Sequence, residues 1–562
     1  MSRVMEVETQ TVAPPPKAGA AAAAGVVSAE LAVVAPPRQL PERLLAWVDR
    51  HRLKLLAFVL LIYLLGFNGQ WRLHPDSALY LTIGRNIAEG NGYTYHGSPH
   101  HLAYPGLPWL FAATFKLFGT GNLVAPHVVL LLSALATLAL VYRLFLLHSG
   151  RPMAVLMTVA VGLSRTFYRH SYELLADMPF LLGVTAFLVG YESVFYRRYD
   201  KDVRESIPSP RGKPHWGDYL LLVGGLALAM VMRPTMLALL LAIVLTVVLS
   251  LFRRPVRKGR LLAGAAVVVF AAAAAVAFFS LDPRRSAGSE EKGDEYVEAF
   301  FDAVTTGAGG VVRKAAGTNL PALLHPAASE AVFGIDFGHL DVGRWYVPVS
   351  ALPSLLSVAA SLFLFRRRLL WGVWASVTVV MMLATVVEVR YFLQVLPLLL
   401  YGWWLALVWL NRRLSRAGWG PWADWVPLAL GVLLFGLNVV RVGSVVVEQR
   451  SAAAGAYYRN GKYAGMPAIA DHLRKYTPEG SWVLVPRKYG RILTYLSRRN
   501  AVEPSPVTRL DPDEQPVFVL DPMDDEGRRW MAELRIAPGE PVGPALPDRR
   551  GKSWQLHRAD KL

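Results

Sequence analysis

Cysteine is missing from all 562 residues. That excludes disulfide-stapled loops and any mechanism that needs a thiolate nucleophile or thiolate metal ligand. Charge is scarce as well: Asp, Glu, Lys and Arg make up 18% of the chain and hydrophobic residues 54%, more apolar than the ~45–50% of a soluble domain. Acidic residues are the rarer sign, 41 against 59 basic, which leaves a net charge of +18. Such a balance invites nucleic acid, but the basic residues sit in short gaps between apolar blocks, which is the positive-inside distribution. No nucleic-acid partner is expected. Residues 1–40 lack the basic run of a signal peptide; they are Ala/Pro-rich, carry Pro14, Pro15, Pro16, Glu6, Glu8 and Glu30, and read as a disordered cytoplasmic tail.

What is present is apolar length. Blocks fall near 53–69, 123–147, 152–167, 178–196, 218–232, 235–252, 261–281, 345–365, 370–388, 391–410 and 422–441. At a rise of ~1.5 Å per residue most of them reach across a ~30 Å hydrocarbon core. The expectation is a polytopic α-helical membrane protein with about 11 transmembrane helices, the membrane part spanning residues 41–441. The block at 105–118 opens with prolines and reads as an interfacial or re-entrant helix. Threading from a cytoplasmic N-terminus makes every inner loop basic, from Arg143 and Arg151 to Arg412, Arg413 and Arg416, and so fixes the orientation. Outer loops near 70–122 and 282–344 follow, and residues 442–562 form a soluble extracytoplasmic domain. In that domain Ala464–Tyr476, Tyr489–Leu496 and a stretch near 523–535 read as helices, and Trp482–Val485 and Val517–Leu520 as strands. The alternation predicts a small α/β fold. It has no phosphate-binding glycine loop, so no chemistry is assigned to it.

The candidate site gathers on the outer side. Asp76 lies in His74-Pro75-Asp76-Ser77, ahead of a helix-like run 77–89. It suits general-base chemistry at the membrane surface, and it equally suits an N-cap. Glu173 and Asp177 occupy the short turn before the fourth span. They could contact acceptor hydroxyls, hold a divalent cation, or serve structure alone, Asp177 as a helix start before Met178-Pro179. Arg390-Tyr391 and Arg233 end spans on the same side, either as phosphate ligands or as snorkelling arginines; Arg165 and Arg169 are weaker candidates. His74, His96, His100 and His101 match no metal-ligand spacing. Tyr80, Ile83 and Ile87 form an apolar stripe expected to rest on the bilayer.

Three features together (Asp76 with its following helix, Glu173-Leu-Leu-Ala-Asp177-Met-Pro179, and Arg390-Tyr391 followed by Pro397) resemble the GT-C class of membrane glycosyltransferases. The likeness is to bacterial members of family 39, related to protein O-mannosyltransferases and the lipid A aminoarabinose transferase, and it covers about residues 50–410. The resemblance implies a polyprenyl-phosphate-linked sugar as donor and a lipid, glycan or protein acceptor. Transfer would invert the anomeric carbon on the outer face of the plasma (inner) membrane, with Asp76 as base and Arg390, Tyr391 and Arg233 at the donor phosphate. Protein O-mannosyltransferases carry an Asp-Glu pair where this chain has Asp76-Ser77, which sets protein acceptors apart. No cofactor is required, although a divalent cation is compatible. The competing functions are a polysaccharide polymerase or ligase using a diphosphate-linked donor, a secondary transporter, and a scaffold. Ionisable residues at span ends rather than midpoints, without an internal repeat, disfavour the transporter.

Overall fold

A computed structural model describes residues 40–100, 103–196, 214–253, 312–334, 346–451, 463, 465–486, 489–502, 517–521, 539–547 and 553–559. Residues 1–39 of the expected tail, the span near 261–281, most of the second outer loop and the helix near 523–535 lie outside them.

The apolar blocks fold as helices because a backbone removed from water must pair its own N–H and C=O groups. In chain order they are α1 (Leu40–Arg50), α2 (Arg52–Gly66), α3 (Pro75–Glu89), α4 (Gly106–Phe118), α5 (Val124–Ser149), α6 (Arg151–Gly162), α7 (Arg165–His170), α8 (Asp177–Tyr191), α9 (Trp216–Met232) and α10 (Met236–Arg253). Beyond the second loop come α11 (Ala328–Phe333), α12 (Tyr346–Ser361), α13 (Leu369–Ala384), α14 (Leu396–Arg416) and α15 (Trp422–Ser451). Among the described residues, four helical stretches are long and apolar enough to cross a membrane: Val124–Ser149, Asp177–Phe195, Val389–Arg416 and Trp422–Ser451. Helix length alone thus accounts for four of the expected spans. Shorter apolar helices, α4 and α6 among them, supply the rest of the helical layer.

Glycine decides how two of these helices meet. A Cβ on Gly190 of α8 would lie 2.4 Å from the Leu222 nitrogen of α9, and one on Gly225 of α9 would lie 2.4 Å from the Phe187 nitrogen of α8. Only small residues allow this backbone-to-backbone approach. It sets the two helices antiparallel, with Asp177 and Arg233 together at one end and Asp218 paired with Arg143 at 2.6 Å toward the other.

After α15 the chain forms α16 (Met466–Tyr476), β3 (Trp482–Leu484), α17 (Gly490–Ser497), β4 (Asn500–Val502), β5 (Val517–Asp521), β6 (Leu546–Pro547) and β7 (Ser553–Arg558), β1 (Thr94–Tyr95) and β2 (Ser98–Pro99) being a small hairpin after α3. The five-stranded sheet has the order β4-β3-β5-β7-β6. β3 runs parallel to β4 and β5 with Val483 opposite Ala501 and Phe518, and β7 is antiparallel to β5 with His557 opposite Val519. The helices and strands expected here from sequence are present within a residue or two; the stretch near 523–535 lies outside the described residues.

This sheet does not stand off from the helices. One apolar core runs from Val59 and Tyr63 of α2 through Phe167 and Phe392 to Val483, Ile492 and Leu556. The contact is made mainly by α17 on α3. Arg85 donates to the Tyr495 carbonyl at 3.0 Å and its guanidinium lies 5.0 Å from that ring, while Trp71 meets the ring edge-on at 5.1 Å. His96 reaches Thr494 Oγ1 at 3.1 Å. Ile83, at the centre of the stripe expected to rest on the bilayer, is covered by protein instead. Ile83 is fully buried and packs with Leu79 and Tyr95, and Ile87 and Tyr93 flank them. The hairpin residues fold back and satisfy by protein contact what lipid was expected to cover.

Candidate active site

Asp76 is positioned by the start of α3. His74, in extended backbone, occupies the cap position and its Nδ1 accepts the Asp76 N–H at 3.2 Å; Pro75 takes the first helical position, where its missing N–H costs nothing. The cap expected at Asp76 is thus supplied by His74, and the Asp76 side chain is left for other partners. Ser77, fully buried, accepts from Trp71 Nε1 at 2.8 Å and donates to the His74 carbonyl at 2.8 Å. A carboxylate there would lose its donor role and be buried, a physical reason for the departure from an Asp-Glu pair.

The Asp76 carboxylate is held from both oxygens. Arg390 Nη1 donates to Oδ2 at 2.9 Å, and Arg491 Nη1 donates to Oδ1 at 3.2 Å. Burial works to raise the Asp76 carboxyl, but Arg390 first, then His74 and Arg491, outweigh it and hold it at about 2, below its ordinary 3.8. Burial, aided by Arg390, pushes the His74 imidazole below its ordinary value against the pull of Asp76, Glu173 and Asp177. His74 Nδ1 lies 3.9 Å from Asp76 Oδ2.

Arg390 belongs to the 3-10 turn Val389–Val395 that opens α14, and its Nε lies 2.5 Å from Glu388 Oε2. Its guanidinium is 5.5 Å from the Tyr391 ring centre, and that of Arg233 is 5.4 Å from the same ring. Two cations thus share one phenol. Arg233 is anchored by Asp177 at 2.8 Å, with only 3% of the Asp177 side chain exposed; Asp177 Oδ2 has no hydrogen-bond partner. Asp177 is the first residue of α8 and makes no cap bond, so pairing with Arg233 is its structural role here.

Glu173 accepts from Arg169 Nε at 3.0 Å and lies 3.5 Å from His170 Nε2 and 3.8 Å from Arg72. Burial opposes its ionisation, but His170, Arg169 and Arg72 hold it well below the usual carboxylate range. Arg165, the other weaker candidate, pairs with Glu330 at 2.5 Å and ties α7 to the end of the second loop. Five of the sequence candidates (Asp76, Arg390, Tyr391, Arg233 and Asp177) therefore lie in one chain of contacts, while Glu173, in the turn just before Asp177, has its own ion pairs with Arg169, His170 and Arg72.

One residue escaped sequence reasoning. Arg491 stands at the start of α17, 415 residues from Asp76, in the domain to which no chemistry was assigned. Nothing in its local sequence marks it; only the docking of α17 on α3 brings it to the carboxylate. As for a metal, no group of three or more His, Asp or Glu suited to an ion occurs among the described residues. Asp76, Asp177 and Glu173 are each paired with arginine, and a hard cation would have to displace those pairs to gather its several oxygen ligands.

The sequence matches no protein-family model and no curated protein. Solved structures do match its fold. ArnT from Cupriavidus metallidurans in the apo state superposes with a TM-score of 0.51 at 15% identity, over 90% of this chain and 97% of that one. Archaeal oligosaccharyltransferase AglB from Archaeoglobus fulgidus, in complex with an inhibitory peptide and a dolichol-phosphate, gives 0.52 at 13% identity, over 92% and 75%. The Archaeoglobus fulgidus oligosaccharyltransferase tethered to an acceptor peptide containing the NVT sequon gives 0.51 at 12% identity, also over 92% and 75%. At these identities the likeness is one of architecture, and that architecture is the polytopic GT-C fold with a C-terminal domain.

Proposed function

We propose that this chain is an inverting glycosyltransferase that moves a sugar from a polyprenyl-phosphate donor to a hydroxyl on the outer face of the membrane. The observation that carries the reading is the Asp76 carboxylate bonded to Arg390, beside the Arg390–Tyr391–Arg233 stack, at one end of apolar helices in a GT-C fold. Support for the donor class comes from the dolichol-phosphate held by the AglB neighbour.

The chemistry follows from these groups. The acceptor O–H attacks the anomeric carbon from the face opposite the phosphate, and the C1–O bond to phosphate breaks with its electron pair. Asp76 takes the hydroxyl proton as the nucleophile forms its bond, an assistance of about 10²–10⁴-fold. Negative charge grows on the departing phosphate, where Arg390 and Arg233 can meet it with planar, charge-assisted hydrogen bonds. Asp177 keeps Arg233 in place, Tyr391 spaces the two guanidiniums, and Glu173 with Arg169 frames the side nearest His74. The acceptor is a lipid, glycan or protein hydroxyl.

Native mass spectrometry of gently purified protein tests the donor class. A co-purified polyprenyl phosphate, with or without one sugar, supports the reading. A polyprenyl diphosphate moves it to a polymerase or ligase, and bulk phospholipid alone counts against both.

A further inference from the structure

We propose that Arg491, carried by the C-terminal domain, is a ligand of the donor phosphate, and that the phosphate enters by replacing the Asp76 carboxylate between Arg491 and Arg390. The inference rests on the glycosyltransferase reading above and goes beyond it by making the soluble domain part of the catalytic site.

Four observations carry it. First, Arg390 and Arg491 come from elements far apart in the chain and take opposite oxygens of one carboxylate, at 2.9 Å and 3.2 Å. A phosphodiester offers the same motif, two non-bridging oxygens sharing one negative charge, so it can take over both contacts. Second, the clasp is open to solution: the Arg491 side chain is 46% exposed and that of Asp76 28%. An anion reaches it without unfolding anything. Third, the helix that carries Arg491 is not held in place by Asp76. α17 is seated by Arg85 on the Tyr495 carbonyl and ring, by Trp71 on the same ring and by His96 on Thr494. Exchange of the carboxylate for a phosphate therefore leaves the helix, and the base of the arginine side chain, where they are. Fourth, a carboxylate bonded to two guanidiniums is a poor proton acceptor, so the base needs release before it can act. The groups that face Asp76 are His74 from its own segment, Arg390 with Glu388 from the turn before α14, and Arg491 from α17.

The exchange links binding to chemistry. As the sugar leaves, the phosphate passes from diester to monoester and gains charge, so the two arginines bind the departing group more strongly than the incoming donor. The acceptor proton goes to the freed Asp76, and from there to solvent when the polyprenyl phosphate departs and the clasp re-forms.

The test uses the full-length protein in detergent and the affinity for farnesyl phosphate, with farnesol as the uncharged reference. Arg491→Gln should weaken farnesyl phosphate binding by about tenfold, as expected for one exposed charge-assisted hydrogen bond. Arg491→Lys, which keeps the charge, should recover part of that loss. Asp76→Asn should tighten binding several-fold, because the competing anion is gone. Arg498→Gln removes a contact to Glu89 at the same domain boundary (3.7 Å) that does not involve Asp76, and it should leave affinity unchanged. Affinities of Arg491→Gln and Arg491→Lys both within about twofold of the parent would overturn the proposal. So would an equal loss in Arg498→Gln, which would mean that domain docking and not phosphate contact had been disturbed. If the parent protein prefers farnesyl phosphate no more than farnesol, the glycosyltransferase reading itself falls; if it does prefer the phosphate while Arg491→Gln matches it, only the role of Arg491 falls.

Discussion

Asp76→Asn removes the carboxylate clasped by Arg390 and Arg491 while keeping the shape of the side chain. Two magnitudes follow, and they are measured separately. Without a proton acceptor, turnover should drop by about 10²–10⁴-fold. For stability, moving the carboxyl from its ordinary 3.8 to about 2 corresponds to about 2.4 kcal/mol, at about 1.36 kcal/mol for each tenfold. Arg491 is 46% exposed, so solvent screening trims its share and about 1–2 kcal/mol is the expected cost. The sign is fixed by the direction of the shift. A folded-state value below the unfolded one gives stability that is complete above about pH 4 and is lost as the pH falls toward 2. Thermal unfolding of the purified proteins at pH 7 and pH 3 reads this out, beside a transfer assay with a polyprenyl-phosphate sugar. The variant should melt lower at pH 7, the gap should shrink by about half at pH 3, and turnover should fall by that factor while donor binding persists. Equal melting at pH 7 would refute the ion-pair argument, and turnover within a few-fold of the parent would refute the general base.

Arg390→Ala should weaken donor binding by about 10–100-fold, since its guanidinium is nearly buried and charged hydrogen bonds there are worth about 1.5–3 kcal/mol; unchanged affinity in a lipid-phosphate binding assay would remove it from the phosphate site. Breaking the buried Asp177–Arg233 pair with Arg233→Gln leaves a carboxylate that is 3% exposed without its partner, a loss of about 3–5 kcal/mol. Far less folded protein is expected on fluorescence-detected size exclusion, and normal yield would count against the pair. Gly225→Ala places a Cβ 2.4 Å from the Phe187 nitrogen and should separate α8 from α9, whereas Gly436→Ala on α15 meets nothing within 4 Å and should be neutral or slightly stabilising; matching melting temperatures for the two would sink the packing argument. Exhaustive chelation with EDTA should leave transfer within about twofold of its starting rate, because the site carboxylates are matched by arginines rather than left open for an ion; loss of activity restored by magnesium or manganese would show the reverse.

What was legible in the sequence was whatever is encoded locally. Apolar runs announce helices, and Trp482–Leu484 and Val517–Asp521 announce buried strands because nearly every residue faces a covered side. Asp76, Asp177, Arg233 and Arg390 stand out because charge beside apolar spans is conspicuous. The illegible parts depend on distance along the chain. The stripe of Tyr80, Ile83 and Ile87 has the spacing of a membrane-surface helix, and only the hairpin and α17 decide that protein covers it instead. Periodicity says that a face is apolar and never says what lies against it. Arg491 is one basic residue among many in the C-terminal domain, and its meaning arises from a contact that bridges almost the whole chain.

Arginine beside an apolar core is costly unless its charge is met, and Arg233 and Arg390 expose only 11% of their side chains. Pairing with Asp177 and Asp76 is therefore a condition of folding before it is a condition of catalysis. The two pairs differ in one respect that matters. Asp177 is sealed in at 3% exposure, so Arg233 has a permanent partner; Asp76 is 28% exposed and is shared with an arginine from another domain. Only the second pair can open to an incoming anion at a modest desolvation cost. A site built this way keeps one guanidinium fixed and lets the other exchange carboxylate for phosphate, so that the arrival of the donor both fills the anion site and frees the base.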